Sequence, residues 1–264
     1  VIMDIHAQLK AKVSSGRKLL VPYVCAGFPD EASTLPVLEA LAEAGADAIE
    51  LGIPFSDPLM DGPVIQAASH AALKGGMTLA KALDIAAAFT QKHTTPLVLM
   101  GSVNPLMRMG GETFAARASQ AGVSGLILPD LPLEDQIRIP CIPQVQLVAP
   151  NTPDARVKTL LAQAPPFLYC VTVFGVTGTR TTTADYTVPF LNRMKAISQV
   201  NAQVPVLAGF GVSRPEQAVE LASACDGVII GSALIRKLEA AGPGGAAQAA
   251  MDFLRPFRAA LDSH

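Results

Sequence analysis

Short apolar runs alternate along this chain with longer stretches in which apolar residues recur every three or four positions, and the alternation repeats eight times. The short runs predict strands over 19–25, 47–53, 97–101, 124–129, 144–149, 167–172, 204–208 and 226–230. Several are nearly continuous aliphatic runs, such as Gly125-Leu126-Ile127-Leu128 and Gly227-Val228-Ile229-Ile230. Strands buried on both faces of a parallel sheet read this way, whereas half-exposed strands alternate. Between them, Leu35, Val37, Leu38 and Leu41 fall close to helical spacing and predict a helix over 33–44 that stops before Gly45. Residues 78–91, 111–121, 153–163, 186–199 and 215–223 read similarly. A leading helix over 4–14 is placed to cover the bottom of a barrel, and 232–262 holds two helices broken at Gly242-Pro243-Gly244-Gly245.

Eight β/α units argue for a single (β/α)8 barrel domain over residues 1–264. A doubly wound open sheet is the alternative, but it usually has fewer strands and would need a dinucleotide fingerprint after the first strand, which is absent. One connection is short. Only thirteen residues separate Asp130 from Gln144, with Pro132, Pro140 and Pro143 among them. A parallel crossover needs at least ~10–12 residues and usually a helix. Only 133–138 could be helical, so the fourth helix is expected to be about one turn or disordered.

Composition narrows the function classes. The length of 264 residues suits one such barrel, and half of them are hydrophobic, enough for a large core. The net charge of −2, with no block of basic residues, excludes nucleic-acid binding through an electrostatic footprint. No apolar run approaches the ~18 residues of a membrane span, and Val1-Ile2-Met3-Asp4 lacks the basic and apolar regions of a signal peptide, so a cytoplasmic location is expected. Cys25, Cys141, Cys170 and Cys225 are far apart, with no CxxC or His-x-x-x-His spacing. They are expected to be reduced thiols, and no metal site is expected.

The densest candidate chemistry lies in the run from Ile49 to Gly62, which begins as a strand and ends as a loop rich in turn formers. Period 2 puts Ala48, Glu50 and Gly52 on one face and Ile49, Leu51 and Ile53 on the other. Glu50 thus sits between two small residues that leave room for a ligand, late in a strand whose C-terminal end would face a barrel's active site. A carboxylate seldom occupies such a place without a partner or a task. On spacing alone, a buried acid satisfied by a backbone or hydroxyl partner is an equally good reading. Asp61, alone, reads as a turn residue before Gly62, and Asp57 as loop-structuring.

Glu50-Leu51-Gly52-Ile53-Pro54-Phe55-Ser56-Asp57-Pro58-Leu59-Met60-Asp61-Gly62 resembles the signature E-L-G-x-P-F-S-D-P-x-x-D-G of the tryptophan synthase alpha subunit family. The likeness extends through Pro63-Val64-Ile65-Gln66, and to Tyr23-Val24-Cys25-Ala26-Gly27-Phe28-Pro29-Asp30 upstream. Downstream it includes Gly175-Val176-Thr177-Gly178, Gly209-Phe210-Gly211 and Gly231-Ser232-Ala233. The resemblance implies a lyase that cleaves indole-3-glycerol phosphate to indole and glyceraldehyde 3-phosphate, with Glu50 as general acid/base and Asp61 binding the indole nitrogen. It also implies that Tyr23 and Tyr169 stand beside the substrate and that Thr177 belongs to a loop closing over it, for which the polar run Thr179–Thr183 is suited. No metal or organic cofactor is implied for this chain. The implied partner is a beta subunit carrying pyridoxal phosphate, in an alpha2beta2 heterotetramer of tryptophan biosynthesis.

Chemistry explains the two carboxylates. Indole leaves only after C3 is protonated, and positive charge develops on the ring nitrogen, where a fixed carboxylate stabilises it. Burial is expected to raise Glu50 towards neutrality, while Asp61, on a more polar loop, is expected to stay ionised. Gly209 and Gly211 follow the seventh strand, and Gly231 and Ser232 follow the eighth and open a helix. Barrels often bind phosphate there through backbone N–H groups; Gly178 would complete the cradle, and Phe210 would form an apolar wall.

The chain departs from the family after the third strand. Ser102 and Val103 stand where an aromatic-containing Y-x-N-P is common. That departure and the short fourth crossover keep two other readings open: a free-standing lyase that releases indole, and a regulatory subunit that binds a phosphate ligand with little catalysis.

Overall fold

A computed structural model describes residues 4–58, 60–135, 142–171, 184–209 and 211–263. Eight strands form one sheet: β1 (Leu19–Cys25), β2 (Ile49–Gly52), β3 (Leu97–Met100), β4 (Gly125–Ile127), β5 (Gln146–Val148), β6 (Leu168–Val171), β7 (Val206–Gly209) and β8 (Gly227–Ile230). All neighbouring pairs are parallel, and β1 pairs with β8 as well as with β2. The order β4-β3-β2-β1-β8-β7-β6-β5 leaves one seam. A single parallel bridge, Leu126 to Gln144, closes it. Its hydrogen bonds run from Leu126 N to Pro143 O at 3.0 Å and from Val145 N to Leu126 O at 2.8 Å. The result is a TIM-like barrel.

Alternation along the strands separates two apolar layers. Leu19, Val21, Ala48, Val98, Ile127, Val145, Phe167, Tyr169, Leu207 and Ile229 fill the barrel. Ile49, Leu51, Leu97, Leu99, Leu126 and Leu168 face outward into the layer beneath the helices. Helix α1 (Ile5–Ser14) seals the N-terminal end by adding Ile5 and Leu9 to the inner cluster, as its place in the sequence suggested. Fully burying such a side chain stabilises the fold by about 1.5–3 kcal/mol.

The helical layer contains α2 (Glu31–Glu43), α3 (Pro63–Lys74), α4 (Leu79–Thr90), α5 (Val103–Met109), α6 (Gly111–Gln120), α7 (Asp154–Leu161), α8 (Ala184–Asn201), α9 (Pro215–Ala222) and α10 (Ser232–Asp262). Gly242, at φ 65° and ψ 177°, breaks α10 where two helices were predicted. Helices α3 and α5 were not predicted. Helix α3 buries only Ala68, Ser69 and Ala72, so its apolar stripe is weak; Pro63 at its start and Gly75 at its end mark it instead. Helix α5 carries Pro105, which its first turn tolerates because that N–H has no partner within the helix. The described part of the short fourth crossover is a single 3-10 turn, Leu133–Asp135. Its other predicted residues, 136–138, lie outside the described residues.

Candidate active site

Glu50 is fully buried, and neither carboxylate oxygen has a hydrogen-bond partner among the described residues. In register it lies between Tyr23 of β1 and Val98 of β3. Desolvation pushes its pKa up to about 8, so near pH 7 the carboxyl is mostly protonated. Among the described residues, no backbone or hydroxyl partner satisfies Glu50 as a buried structural acid. What remains is a buried carboxyl that lines open space.

That space is a cavity of about 180 Å³ at the C-terminal mouth of the barrel. Glu50, Asp61, Tyr23 and Tyr169 line it together with Gly211, Gly231, Ser232 and Arg236. Met60, Val64, Ile65, Met100, Val212 and Ile229 supply apolar wall, which suits a flat aromatic ligand. Asp61 is half-buried, and desolvation raises its pKa too. The loop after β2 is thus less polar around Asp61 than its turn-forming composition suggested. The expected contrast between the two carboxylates survives in degree, because Glu50 is the more deeply buried.

Two tyrosines shape the reacting end. The Tyr23 phenol lies against Gly52 of β2, and the Tyr169 ring against Gly209 of β7, each where a Cβ would overlap it. Burial and the neighbouring carboxylates hold both phenols neutral. Gly209 thus serves first as the seat of Tyr169; it is not among the residues lining the cavity, although phosphate binding was expected of it. Gly211, at φ 75°, takes the left-handed backbone that glycine favours. Gly231 is the N-cap of α10 and has no side chain to occupy the first-turn N–H groups.

Ser102 is buried at the start of α5. It lines a second, smaller cavity of about 30 Å³ with Gly101, Pro129 and Asp130. Tyr23, Met60, Asp61 and Met100 border both cavities. The Asp130 carboxylate accepts from Val103 N at 3.0 and 3.1 Å, tying the loops after β3 and β4 together. Thr177, Gly178, Phe210 and the Thr179–Thr183 run lie outside the described residues, as does Cys141. Cys25, Cys170 and Cys225 are free and buried, and the described residues contain no cluster suited to a metal ion. No helix among them is long and apolar enough to cross a membrane.

Sequence reasoning missed Arg236 and most of the apolar wall. Arg236 could have been found as the residue one helical turn after Ser232.

The tryptophan synthase alpha chain family profile matches residues 9–260. The chain belongs to the tryptophan synthase alpha chain family. The alpha chain of Caulobacter vibrioides (strain NA1000 / CB15N) is 44% identical over 242 residues, covering 89% of this chain and 86% of its own. That of Burkholderia lata is 42% identical, covering 98% and 96%. Among solved structures, tryptophan synthase subunit alpha from Legionella pneumophila str. Paris superposes with a TM-score of 0.85 at 32% identity, covering 99% of this chain and 100% of its own. A chain of Mycobacterium tuberculosis tryptophan synthase gives 0.85 at 31% identity, with 99% of each covered. For an alpha chain, the apolar cavity with one protonated and one loop carboxylate has a natural occupant.

Proposed function

We propose that this chain cleaves indole-3-glycerol phosphate to indole and glyceraldehyde 3-phosphate, the reaction of the family to which it belongs, with Glu50 as acid and then base. The observation that carries this assignment is the isolation of Glu50, fully buried and unpartnered beside an apolar cavity. Its carboxyl gives a proton to indole C3, and the cation that results is held on the ring nitrogen beside Asp61. The bond from C3 to the glycerol side chain then breaks, and its electron pair restores the aromatic ring. The adjacent hydroxyl becomes the aldehyde and returns its proton to the Glu50 carboxylate. One group thus closes the proton cycle, and no oxidant or reductant is required.

Tyr23 and Tyr169 pack against the indole from opposite sides of the barrel mouth. The backbone at Gly211, Gly231 and Ser232 receives the phosphate, with Thr177, Gly178 and Phe210 completing the enclosure from the loops after β6 and β7. Their expected roles accord with a cavity lined both by Glu50 and Asp61 and by the glycine backbone at Gly211 and Gly231. No metal or organic cofactor enters the scheme.

The partner is a tryptophan synthase beta subunit, in an alpha2beta2 complex located in the cytoplasm. Support comes from the fold's close superposition on a chain of the Mycobacterium tuberculosis synthase. Indole release from indole-3-glycerol phosphate, with and without a beta subunit, tests this function. Turnover stimulated by the beta subunit is the expected result. Equal turnover in both settings would favour a free-standing lyase. Substrate binding with no indole in either setting would favour a regulatory subunit and refute catalysis.

A further inference from the structure

Among the described residues, the charged side chains lining the larger cavity are Glu50, Asp61 and Arg236. Burial keeps Glu50 mostly neutral near pH 7, as its pKa of about 8 requires. Among the described residues the cavity lining therefore offers one cation, Arg236, beside Asp61, although the ligand proposed for it is a phosphate dianion at neutral pH. Arg236, like Arg108, Arg214 and Arg255, makes no ion pair among the described residues, and of these four only Arg236 lines the cavity. The first turn of α10 also contains no acidic residue that could compete for it.

Arg236 lies four positions after Ser232, one turn into α10 and on the same face. Helical side chains lean towards the N-terminus, so a long side chain at this position covers the turn before its own Cα. That turn carries Gly231 and Ser232, which line the same cavity. The arginine is exposed and lines the same cavity, so its guanidinium combines access to water with reach to the ligand.

We infer that Arg236 is a phosphate-binding residue: its guanidinium closes over the phosphate from the open side while the backbone at Gly211, Gly231 and Ser232 holds it from beneath. This rests on the proposed cleavage of a phosphorylated substrate and adds to it the charge that glycine donors lack. A planar guanidinium with fixed donors matches phosphate geometry better than an ammonium. Binding is remote from the bond that breaks, so the interaction is equal in the ground and transition states and acts on KM.

The test compares wild type, Arg236→Ala and Arg236→Lys with indole-3-glycerol phosphate and with its dephosphorylated analogue indole-3-glycerol. Arg236→Ala is expected to raise KM for the phosphorylated substrate by ~10- to 100-fold, as loss of a charge-assisted hydrogen bond does. Turnover at saturation and kcat/KM for indole-3-glycerol stay near wild type, and Arg236→Lys recovers part of the loss. In parallel, titration calorimetry with glycerol 3-phosphate should show weaker binding to Arg236→Ala, whether or not the chain turns substrate over. An unchanged KM and unchanged glycerol 3-phosphate affinity would overturn the inference while leaving the lyase reading intact. Equal losses with both substrates would make Arg236 a structural residue and likewise overturn it. Absence of indole from the wild type, with glycerol 3-phosphate binding still dependent on Arg236, would refute the lyase reading alone.

Discussion

The Tyr23 phenol lies across the Cα of Gly52, in the volume that a side chain on Gly52 would fill. The pair join neighbouring strands, and the residue in register with Tyr23 is Glu50. A glycine two positions after the acid therefore has a definite use: it lets an aromatic ring fold down beside the carboxyl. Tyr169 and Gly209 repeat the device across β6 and β7.

Gly52→Ala should force Tyr23 out of its seat. The backbone at Gly52 does not need a positive φ, so the cost comes from overpacking alone, ~1–3 kcal/mol of stability. Activity should fall more than stability implies, because the displaced ring enters the cavity. Denaturant titration and indole-release kinetics on the same variant separate the two effects. Gly209→Ala is expected to behave alike through Tyr169. Unchanged kinetics in both variants would show that ring placement is immaterial.

Glu50 should also weaken the fold as pH rises. Its folded-state pKa, about 8, exceeds the ordinary glutamate value of 4.5. Between those values the native protein holds a proton that the unfolded chain has released. Stability conferred by the protonated form is thus intact below about pH 4.5, declines as pH rises, and stops declining above about 8. The decline is on the order of 3–5 kcal/mol. Glu50→Gln removes this titration. Urea unfolding at pH 5.5 and pH 8 should show the variant gaining on the parent by roughly 3 kcal/mol at the higher pH. A pH-independent difference between the two proteins would contradict the burial assigned to Glu50.

Away from the site, Asp47 joins the N-terminal end of the barrel to α1 and α10. It is fully buried; one oxygen accepts from Lys12 Nζ at 2.9 Å and Arg17 Nε at 2.6 Å. The other accepts from Leu20 N and Arg258 Nη1, both at 3.0 Å. Asp47→Ala leaves those cations facing one another, and such loss of one buried partner costs ~3–5 kcal/mol. Thermal unfolding should register that loss, while the folded variant retains near-normal KM because the cavity lies at the opposite end of the barrel. A melting temperature within a degree or so of wild type would show that the cluster is dispensable, since ~1 kcal/mol shifts a domain this size by only ~2–4 °C.

The barrel was legible because burial on both faces writes parallel strands as aliphatic runs; β1 at Leu19–Cys25 matches the predicted 19–25. The other strands came out shorter than predicted, since apolar runs continue past the last ladder hydrogen bond. Helix α3 escaped notice because alanines pack closely without marking an apolar stripe. Glu50 could be singled out from its place in a strand, but its lack of a partner could not, because that depends on residues brought from β1 and β3. Asp61 was legible by resemblance rather than chemistry, and its desolvation depends on walls contributed by distant loops. Gly209 shows the converse: a glycine motif suggested only phosphate, and the fold also uses that position to seat Tyr169.

The most direct measurement is the pH dependence of kcat/KM for indole release from indole-3-glycerol phosphate, in wild type and Glu50→Gln. A protonated Glu50 must start the reaction, so wild-type activity should hold near neutrality and fall as pH rises through about 8. Glu50→Gln should lose ~10²- to 10⁴-fold in kcat while still binding substrate, and should lack that alkaline limb. A Glu50→Gln enzyme that turns over within tenfold of wild type, with the same alkaline limb, would contradict the assignment of Glu50 as the proton donor.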